Sequence, residues 1–181
     1  MFELVNVNLE KKMNDALHYV AKQLNDTGKN PKPVLLHSFK LAMTLYSYNY
    51  SEEIVISGIL HDLIEDTDTN KKDIESKYGK KISDIVEAVS FNPKIEDKLE
   101  QAKLMFEACS KYGIEALIVK CADLLDNINF VCLVNDKNIR TKLLKKYQLF
   151  LKISKKQIGE EVIYKLLKNK YENIKSSKQK I

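Results

Sequence analysis

Arginine is nearly absent from this 181-residue chain, in which Arg140 is the only arginine among 30 basic residues. The excess over 25 acidic residues gives a net charge of +5, which can attract an anionic substrate. No motif rich in arginine and aromatic residues accompanies the lysines, as a nucleic-acid interface would lead us to expect. We therefore attribute the lysine excess to composition and expect no nucleic-acid partner.

Cysteine is also scarce, and long apolar stretches are missing. The three cysteines, Cys109, Cys121 and Cys132, form no Cys-x-x-Cys pair, and their odd number argues against a closed disulfide framework. No window approaches the roughly 20 apolar residues of a membrane span, and the first ten residues contain no basic leader. The sequence thus predicts a cytoplasmic protein with no membrane partner.

The length of the chain sets its domain organisation. With 181 residues and 44% hydrophobic content, it can bury one substantial core. We expect a single domain over residues 1–170 and a polar, lysine- and serine-rich tail over residues 171–181. The sequence is compatible with a homo-oligomer.

Apolar residues recur at steps of three and four along most of the chain, which is the period of an α-helix. We therefore predict an all-α protein; residues 114–119 are the only plausible strand, and helix is favoured there too. Ser51 followed by Glu52 and Glu53 is typical of a helix N-terminus. The helices predicted in the first half cover residues 8–24, a segment from just before His37 to Tyr48, then 51–66, 71–78 and 82–89.

In the second half, the spacing predicts an amphipathic helix over residues 97–112 with Leu99, Leu104, Met105 and Ala108 facing inward. Gly113 separates this helix from the next. The remaining predicted helices cover residues 114–130 and two segments within the last forty residues.

Imidazole and carboxylate side chains form a second pattern. His61 and Asp62 are adjacent, and a helix would stack them over Glu65 and Asp66, one turn further on. Acids at a helix C-terminus are disfavoured by the helix dipole and require a compensating cation. Mixed nitrogen and carboxylate ligands suit Mn²⁺, Fe²⁺ or Zn²⁺, whereas a Mg²⁺ site normally has oxygen ligands alone. The candidate metal ligands are His37, His61, Asp62 and Asp123.

The stretches that contain these residues resemble the HD metal-dependent phosphohydrolases, a family named for its paired His-Asp. More closely, they resemble the Rel/Spo-type hydrolases, which remove the 3′-pyrophosphate of guanosine tetra- or pentaphosphate, (p)ppGpp. The resemblance covers roughly residues 15–150 and implies a helical bundle of the HD type. The matching stretches are residues 33–37 (PVLLH), 58–67 (GILHDLIEDT), 74–79 (IESKYG), 85–90 (IVEAVS) and 120–128 (KCADLLDNI).

The resemblance also implies a role for each candidate residue. The four candidate ligands would hold a divalent metal, for which the family favours Mn²⁺. Glu65 and Asp66 would orient or deprotonate the attacking water. Asn127 would contact the nucleoside, and Lys29 and Lys32 would contribute positive charge to substrate binding.

Departures from the family in two segments keep the substrate open. Before His37, residues 28–34 (GKNPKPV) replace the usual basic pair and Gly-Glu-Pro-Tyr, and Ser38 replaces the proline that usually follows the histidine. The usual Ala-Asp-Arg-Leu-His-Asn reads ADLLDN over residues 122–127, so that Leu124 replaces the arginine and Asp126 replaces the second histidine. An arginine that stacks on guanine is missing, and a lysine does not offer that planar contact. The alternatives are hydrolysis of another nucleotide, such as a nucleoside mono- or triphosphate, or a non-catalytic nucleotide or metal sensor of the same fold.

Overall fold

A computed structural model describes residues 6–29 and 33–176. Within these residues the chain is helical almost throughout and contains no strand, which confirms the all-α prediction. The contacts divide the chain into two compact units, the first ending at Glu87 and the second beginning at Ala88. None of the described helices has the length and hydrophobicity needed to cross a membrane.

The first unit is built on the packing of its first three helices against one another. Asn6 caps the first of them, because its Oδ1 accepts a hydrogen bond from the Leu9 backbone N–H at 3.0 Å. The helices are α1 (Val7–Thr27), α2 (Val34–Ser47), α3 (Glu52–Leu60), α4 (Leu63–Asp66) and α5 (Lys71–Tyr78), followed by α6 (Lys80–Val89), within which the units divide.

Helices α2 and α3 approach each other closely at Gly58. A Cβ atom at this position would lie 2.5 Å from Leu41 Cδ2 and 2.7 Å from Leu45 Cδ1. Both leucines are fully buried, so they cannot swing into solvent to make room. The absence of a side chain at Gly58 therefore sets the spacing of the two helices that carry His37 and His61.

The helix predicted over residues 51–66 is interrupted at His61 and Asp62. Asp62 has φ −93° and ψ −5°, so the chain turns before the single turn α4 begins. The backbone N–H groups of Glu65 and Asp66 then donate to Asp62 O at 3.1 and 2.8 Å. His61 and Asp62 thus lie at a junction between two helices, and not within the last turns of one.

The short helix α5 follows the prediction for residues 71–78. Asn70 Oδ1 accepts from the Lys72 and Asp73 N–H groups, while the Asn70 N–H donates to Asp73 Oδ2, which completes a capping box. Gly79 ends the helix with φ 86°, a conformation that favours glycine.

The second unit surrounds a buried helix with longer amphipathic ones. Phe106 and Phe150 meet edge to face, with ring centroids 5.1 Å apart. Its helices are α7 (Lys98–Tyr112), α8 (Ile114–Asn127), α9 (Phe130–Leu133), α10 (Lys137–Ile158) and α11 (Val162–Ser176). Residues 114–119 are helical, and α11 continues past residue 170, where the sequence places the start of the polar tail.

The predicted inner face of α7 is partly wrong. Leu99, Leu104 and Ala108 are exposed, whereas Met105 is buried as predicted. The face that packs inward is rotated toward Phe106, and its other buried members are Gln101, Ala102 and Cys109. The Gln101 side chain is buried because its Nε2 donates to the carbonyls of Asn92 and Ile95, a tertiary contact that periodicity does not reveal.

We predict that Gly58→Ala lowers the free energy of unfolding by about 1–3 kcal/mol, because the added methyl overlaps two buried leucines. Urea unfolding monitored by circular dichroism measures the change. Glu75→Ala, on an exposed face of α5, is the control and should stay within about 0.5 kcal/mol of the unmodified protein. Equal stability of the two variants would contradict the close approach of α2 and α3.

Candidate active site

The centre of the candidate site in the first unit is a pair of histidines. His37 lies in the first turn of α2, and His61 follows the last residue of α3. Their Nε2 atoms are 3.3 Å apart, and the rings meet at 65°. His61 is almost completely buried, whereas His37 keeps part of its surface accessible. The structure thus brings together two ring nitrogens that lie 24 residues apart in the sequence.

The hydrogen bond of His61 Nδ1 determines which nitrogen carries the proton. Nδ1 lies 2.9 Å from the carbonyl oxygen of Gly58, an atom that can only accept, so Nδ1 donates. In the neutral ring, Nε2 then presents a lone pair toward His37 Nε2 and toward Asp62 Oδ1, which is 3.0 Å away. Asp62 Oδ2 lies 4.0 Å from His37 Nε2. A second ring nitrogen and the carboxylate of Asp62 therefore lie around the Nε2 atom of His61.

These donors fit a divalent metal. Two imidazole nitrogens that bind one ion at about 2.1 Å, with an angle of about 90–109° between them, are about 3.0–3.4 Å apart. The observed 3.3 Å separation of the His37 and His61 nitrogens lies within that range. The bond from His61 Nδ1 to a backbone carbonyl is the usual outer contact of a metal-binding histidine, since it fixes the ring and its tautomer.

Glu65 and Asp66 follow Asp62 within the single turn α4 and are half-buried. The next residue, Thr67, is buried and holds this turn in place. Its hydroxyl lies 2.7 Å from Leu63 O and 2.9 Å from Thr69 Oγ1. The sequence motif includes Thr67, but its spacing gives no sign of this anchoring role.

Lys29, one of the two lysines predicted to contact substrate, lies against the end of α4. Its backbone N–H donates to Asp66 O at 2.8 Å, and its Nζ donates to Thr67 O at 3.1 Å. The same ammonium lies 2.6 Å from Asp68 Oδ1 in an exposed ion pair. A positive charge is thus held at the C-terminal end of α4. Lys32 lies outside the described residues.

In the second unit, Asp123 is buried on α8 and is held from both sides. Its Oδ2 lies 2.9 Å from Lys120 Nζ, one turn earlier, and its Oδ1 accepts from Asn127 Nδ2 at 2.5 Å, one turn later. Asp123 and Asn127 thus share a face of α8 and are in direct contact. Sequence reasoning missed Lys120, although a lysine three residues before an aspartate in an apolar helix is a signal for such a pair.

The two positions within residues 122–127 that depart from the family pattern lie in different surroundings. Leu124 is 1% exposed and belongs to the core of the second unit, whereas Asp126 is half-buried. Burial, and then the negative charges of Asp123 and Asp126, raise the pKa of Tyr147 on α10. Tyr147 is thus a further polar group near these acids, and periodicity predicts it only as a core residue.

Comparison with known proteins identifies bacterial and animal relatives of similar sequence. A probable guanosine-3′,5′-bis(diphosphate) 3′-pyrophosphohydrolase of Mycoplasma pneumoniae is 31% identical over 130 residues, which cover 64% of this chain and 18% of that protein. A guanosine-3′,5′-bis(diphosphate) 3′-pyrophosphohydrolase of Aquifex aeolicus is 30% identical over 121 residues, 65% of this chain and 17% of that protein. The chain thus spans only a small part of these bacterial relatives.

An animal relative is closer in length. The Drosophila melanogaster protein named guanosine-3′,5′-bis(diphosphate) 3′-pyrophosphohydrolase MESH1 is 29% identical over 122 residues, which cover 65% of this chain and 68% of that protein.

Solved structures share the fold. A structure reported as a metazoan ortholog of SpoT that hydrolyzes ppGpp has a TM-score of 0.75 at 21% identity, covering 90% of this chain and 94% of that one. The Listeria monocytogenes protein lmo0812 has a TM-score of 0.63 at 21% identity, covering 78% and 99%. The family model described as HD domain matches residues 16–156. The chain therefore belongs to the HD domain family, and this membership implies that it binds a divalent metal.

Proposed function

We propose that this chain is a metal-dependent phosphohydrolase that removes the 3′-pyrophosphate from (p)ppGpp. The observation that carries the proposal is the convergence of His37 Nε2, His61 Nε2 and Asp62 beside the half-buried acids of α4. The names of the bacterial and Drosophila relatives support this substrate. In the reaction, water attacks the phosphorus attached to the 3′ oxygen, that P–O bond breaks, and the 3′ oxygen takes up a proton. The products from ppGpp are GDP and pyrophosphate.

The proposed metal ligands are His37, His61, Asp62 and Asp123. Two histidines and two carboxylates form a donor set that suits a first-row divalent ion, and we propose Mn²⁺. When bound, such an ion lowers the pKa of water and neutralises charge on the phosphate. Each of His37, His61 and Asp123 offers one ligand atom suited to a metal ion.

Glu65 and Asp66 are the proposed catalytic residues. A carboxylate can take a proton from the attacking water over a single hydrogen bond, and the two acids follow Asp62 by three and four residues. Half-buried carboxylates keep contact with solvent, so the proton they accept can leave to water. Thr67 stabilises the turn that presents them.

The proposed substrate contacts are Asn127, Lys29 and Lys32. The side-chain amide of Asn127 uses Nδ2 for Asp123, and its Oδ1 is the atom suited to accept a hydrogen bond from a ribose or base. Lys29 supplies a compact positive charge for a phosphate, and we propose the same for Lys32.

The burial of Leu124 favours a second candidate function. Because this side chain lies in the core, position 124 contributes no group that could stack on guanine. Hydrolysis of another nucleotide, such as a nucleoside mono- or triphosphate, is therefore the alternative substrate. A sensor of the same fold would bind nucleotide and leave it intact. A cytoplasmic location and a homo-oligomeric state stay predictions.

We predict that the Mn²⁺-loaded protein converts ppGpp to GDP and pyrophosphate, measured by ion-exchange chromatography of the products. Chelator-treated protein is the first control and should be inactive, because the reaction needs the metal. Parallel incubations with GTP and other nucleotides test the alternative. If the protein hydrolyses another nucleotide but not ppGpp, that nucleotide is the substrate. If it binds nucleotide without hydrolysing it, the protein is a sensor.

We predict that His61→Ala and Asp123→Ala lose bound metal and activity together. Metal content by atomic emission spectrometry and turnover are measured on the same samples. The control is His18→Ala, since His18 is an exposed histidine on α1 outside the site. Full metal occupancy in both ligand variants, with the control unchanged, would contradict the ligand assignment.

We predict a different result for Glu65→Gln and Asp66→Asn. Both variants should keep bound metal, while turnover falls by about 10²–10⁴-fold, the usual contribution of a general base. Glu75→Gln, an exposed acid on α5, is the matched control and should retain full turnover. Loss of metal from either α4 variant would instead place that residue among the ligands.

A further inference from the structure

Lys120 is a buried lysine whose charge is used inside the second unit. It is 5% exposed and lies on α8, where every residue from Ala116 to Leu125 is buried. Lysine is almost never fully buried unless it is paired. Its Nζ lies 2.9 Å from Asp123 Oδ2, and both side chains are nearly inaccessible to solvent. This contact therefore differs from the exposed lysine pairs on the other helices.

The pair lies in a dry environment. Burial raises the pKa of the neighbouring Cys109 thiol to about 12, and the charges of Lys120 and Asp123 act on that thiol in opposite directions. The Cys109 Sγ lies 3.2 Å from the carbonyl oxygen of Ala88, which accepts its hydrogen bond. Electrostatic interactions are stronger in such surroundings than in water, so a single unpaired charge there lowers the stability of the folded protein.

The contacts of Asp123 with Lys120 and Asn127 are compatible with a cation at the same carboxylate. Each carboxylate oxygen has two lone pairs, so an oxygen that accepts a hydrogen bond from Lys120 or Asn127 can also bind a metal ion. The two contacts bind different oxygens of the carboxylate and so fix its orientation. A metal at Asp123 would share the carboxylate with an ammonium group that repels it.

We propose that Lys120 is a positioning residue that serves as the internal counter-ion of Asp123: it stabilises the metal-free protein and thereby weakens metal binding. This inference rests on the proposed function, because it takes Asp123 as a metal ligand. Without metal, the ammonium group balances the buried carboxylate. With metal, the divalent ion provides that balance and the ammonium group becomes a repulsive neighbour. Removal of the Lys120 charge should therefore lower the stability of the metal-free protein more than that of the metal-bound protein.

The test compares Lys120→Met with the unmodified full chain. Calorimetry gives the melting temperature of metal-free and Mn²⁺-saturated protein, and titration calorimetry gives the Mn²⁺ dissociation constant. We expect Lys120→Met to lower the metal-free melting temperature by on the order of 5–10 °C. We expect saturating Mn²⁺ to raise its melting temperature more than that of the unmodified protein, with a dissociation constant about tenfold lower.

Two variants serve as controls. Lys120→Arg keeps the positive charge, so its response to Mn²⁺ should remain close to that of the unmodified protein. Lys103→Met removes the lysine of an exposed pair with the same three-residue spacing, Lys103 and Glu100, and should change neither quantity.

If Lys120→Met does not fold without metal, its refolding yield with and without Mn²⁺ replaces the melting temperature. Recovery by Mn²⁺ supports the proposal, and failure in both conditions contradicts it.

Neither measurement uses a nucleotide, so the two proposals can fail separately. An unmodified protein that is stabilised by Mn²⁺ but hydrolyses no ppGpp contradicts the proposed function alone. Equal Mn²⁺ responses of Lys120→Met and the unmodified protein contradict the role of Lys120 alone. An unmodified protein with no response to Mn²⁺ contradicts both.

Discussion

The close approach of α2 and α3 at Gly58 is the constraint on which the candidate site in the first unit depends. Leu41 and Leu45 fill the space that a side chain at position 58 would occupy. The same glycine provides the carbonyl that binds His61 Nδ1. One residue therefore sets both the spacing of the helices and the tautomer of the buried histidine. Glycine in a helix interior costs roughly 0.5–1 kcal/mol relative to alanine, and the packing of two leucines offsets that cost here.

In the second unit, the buried charges of α8 are paired with each other within that helix. Lys120, Asp123 and Asn127 occupy successive turns of α8, so a single buried element supplies the carboxylate and both of its partners. Surface pairs such as Lys103 with Glu100 contribute little because water screens them. Inside α8 a similar pair of lysine and carboxylate interacts strongly. The two pairs differ in their exposure to water, so burial accounts for the stronger interaction of Lys120 with Asp123.

The sequence predicted most of the helices because their apolar periodicity is local information. It also singled out the candidate histidines and acids, of which His61 and Asp62 are adjacent in the chain. It did not predict the interruption at His61 and Asp62, because the helical pattern there continues and only tertiary structure decides where the chain turns. The inner face of α7 was misplaced for a similar reason: Phe150 of α10 and the carbonyls bound by Gln101 select that face.

The burial of Leu124 has consequences for substrate recognition. The proposed contacts are lysines, which attract phosphate without fixing its orientation, and one asparagine, which offers a single donor and acceptor pair. None of these groups presents a planar surface to a base. Recognition by such groups depends on how many phosphates a nucleotide has and where they are attached, more than on the identity of its base. Two pyrophosphate groups on different carbons of one ribose give a pattern of charge that nucleoside mono- and triphosphates do not share. Positional selection by charge can therefore favour (p)ppGpp even though the arginine of the family motif is replaced by a core leucine.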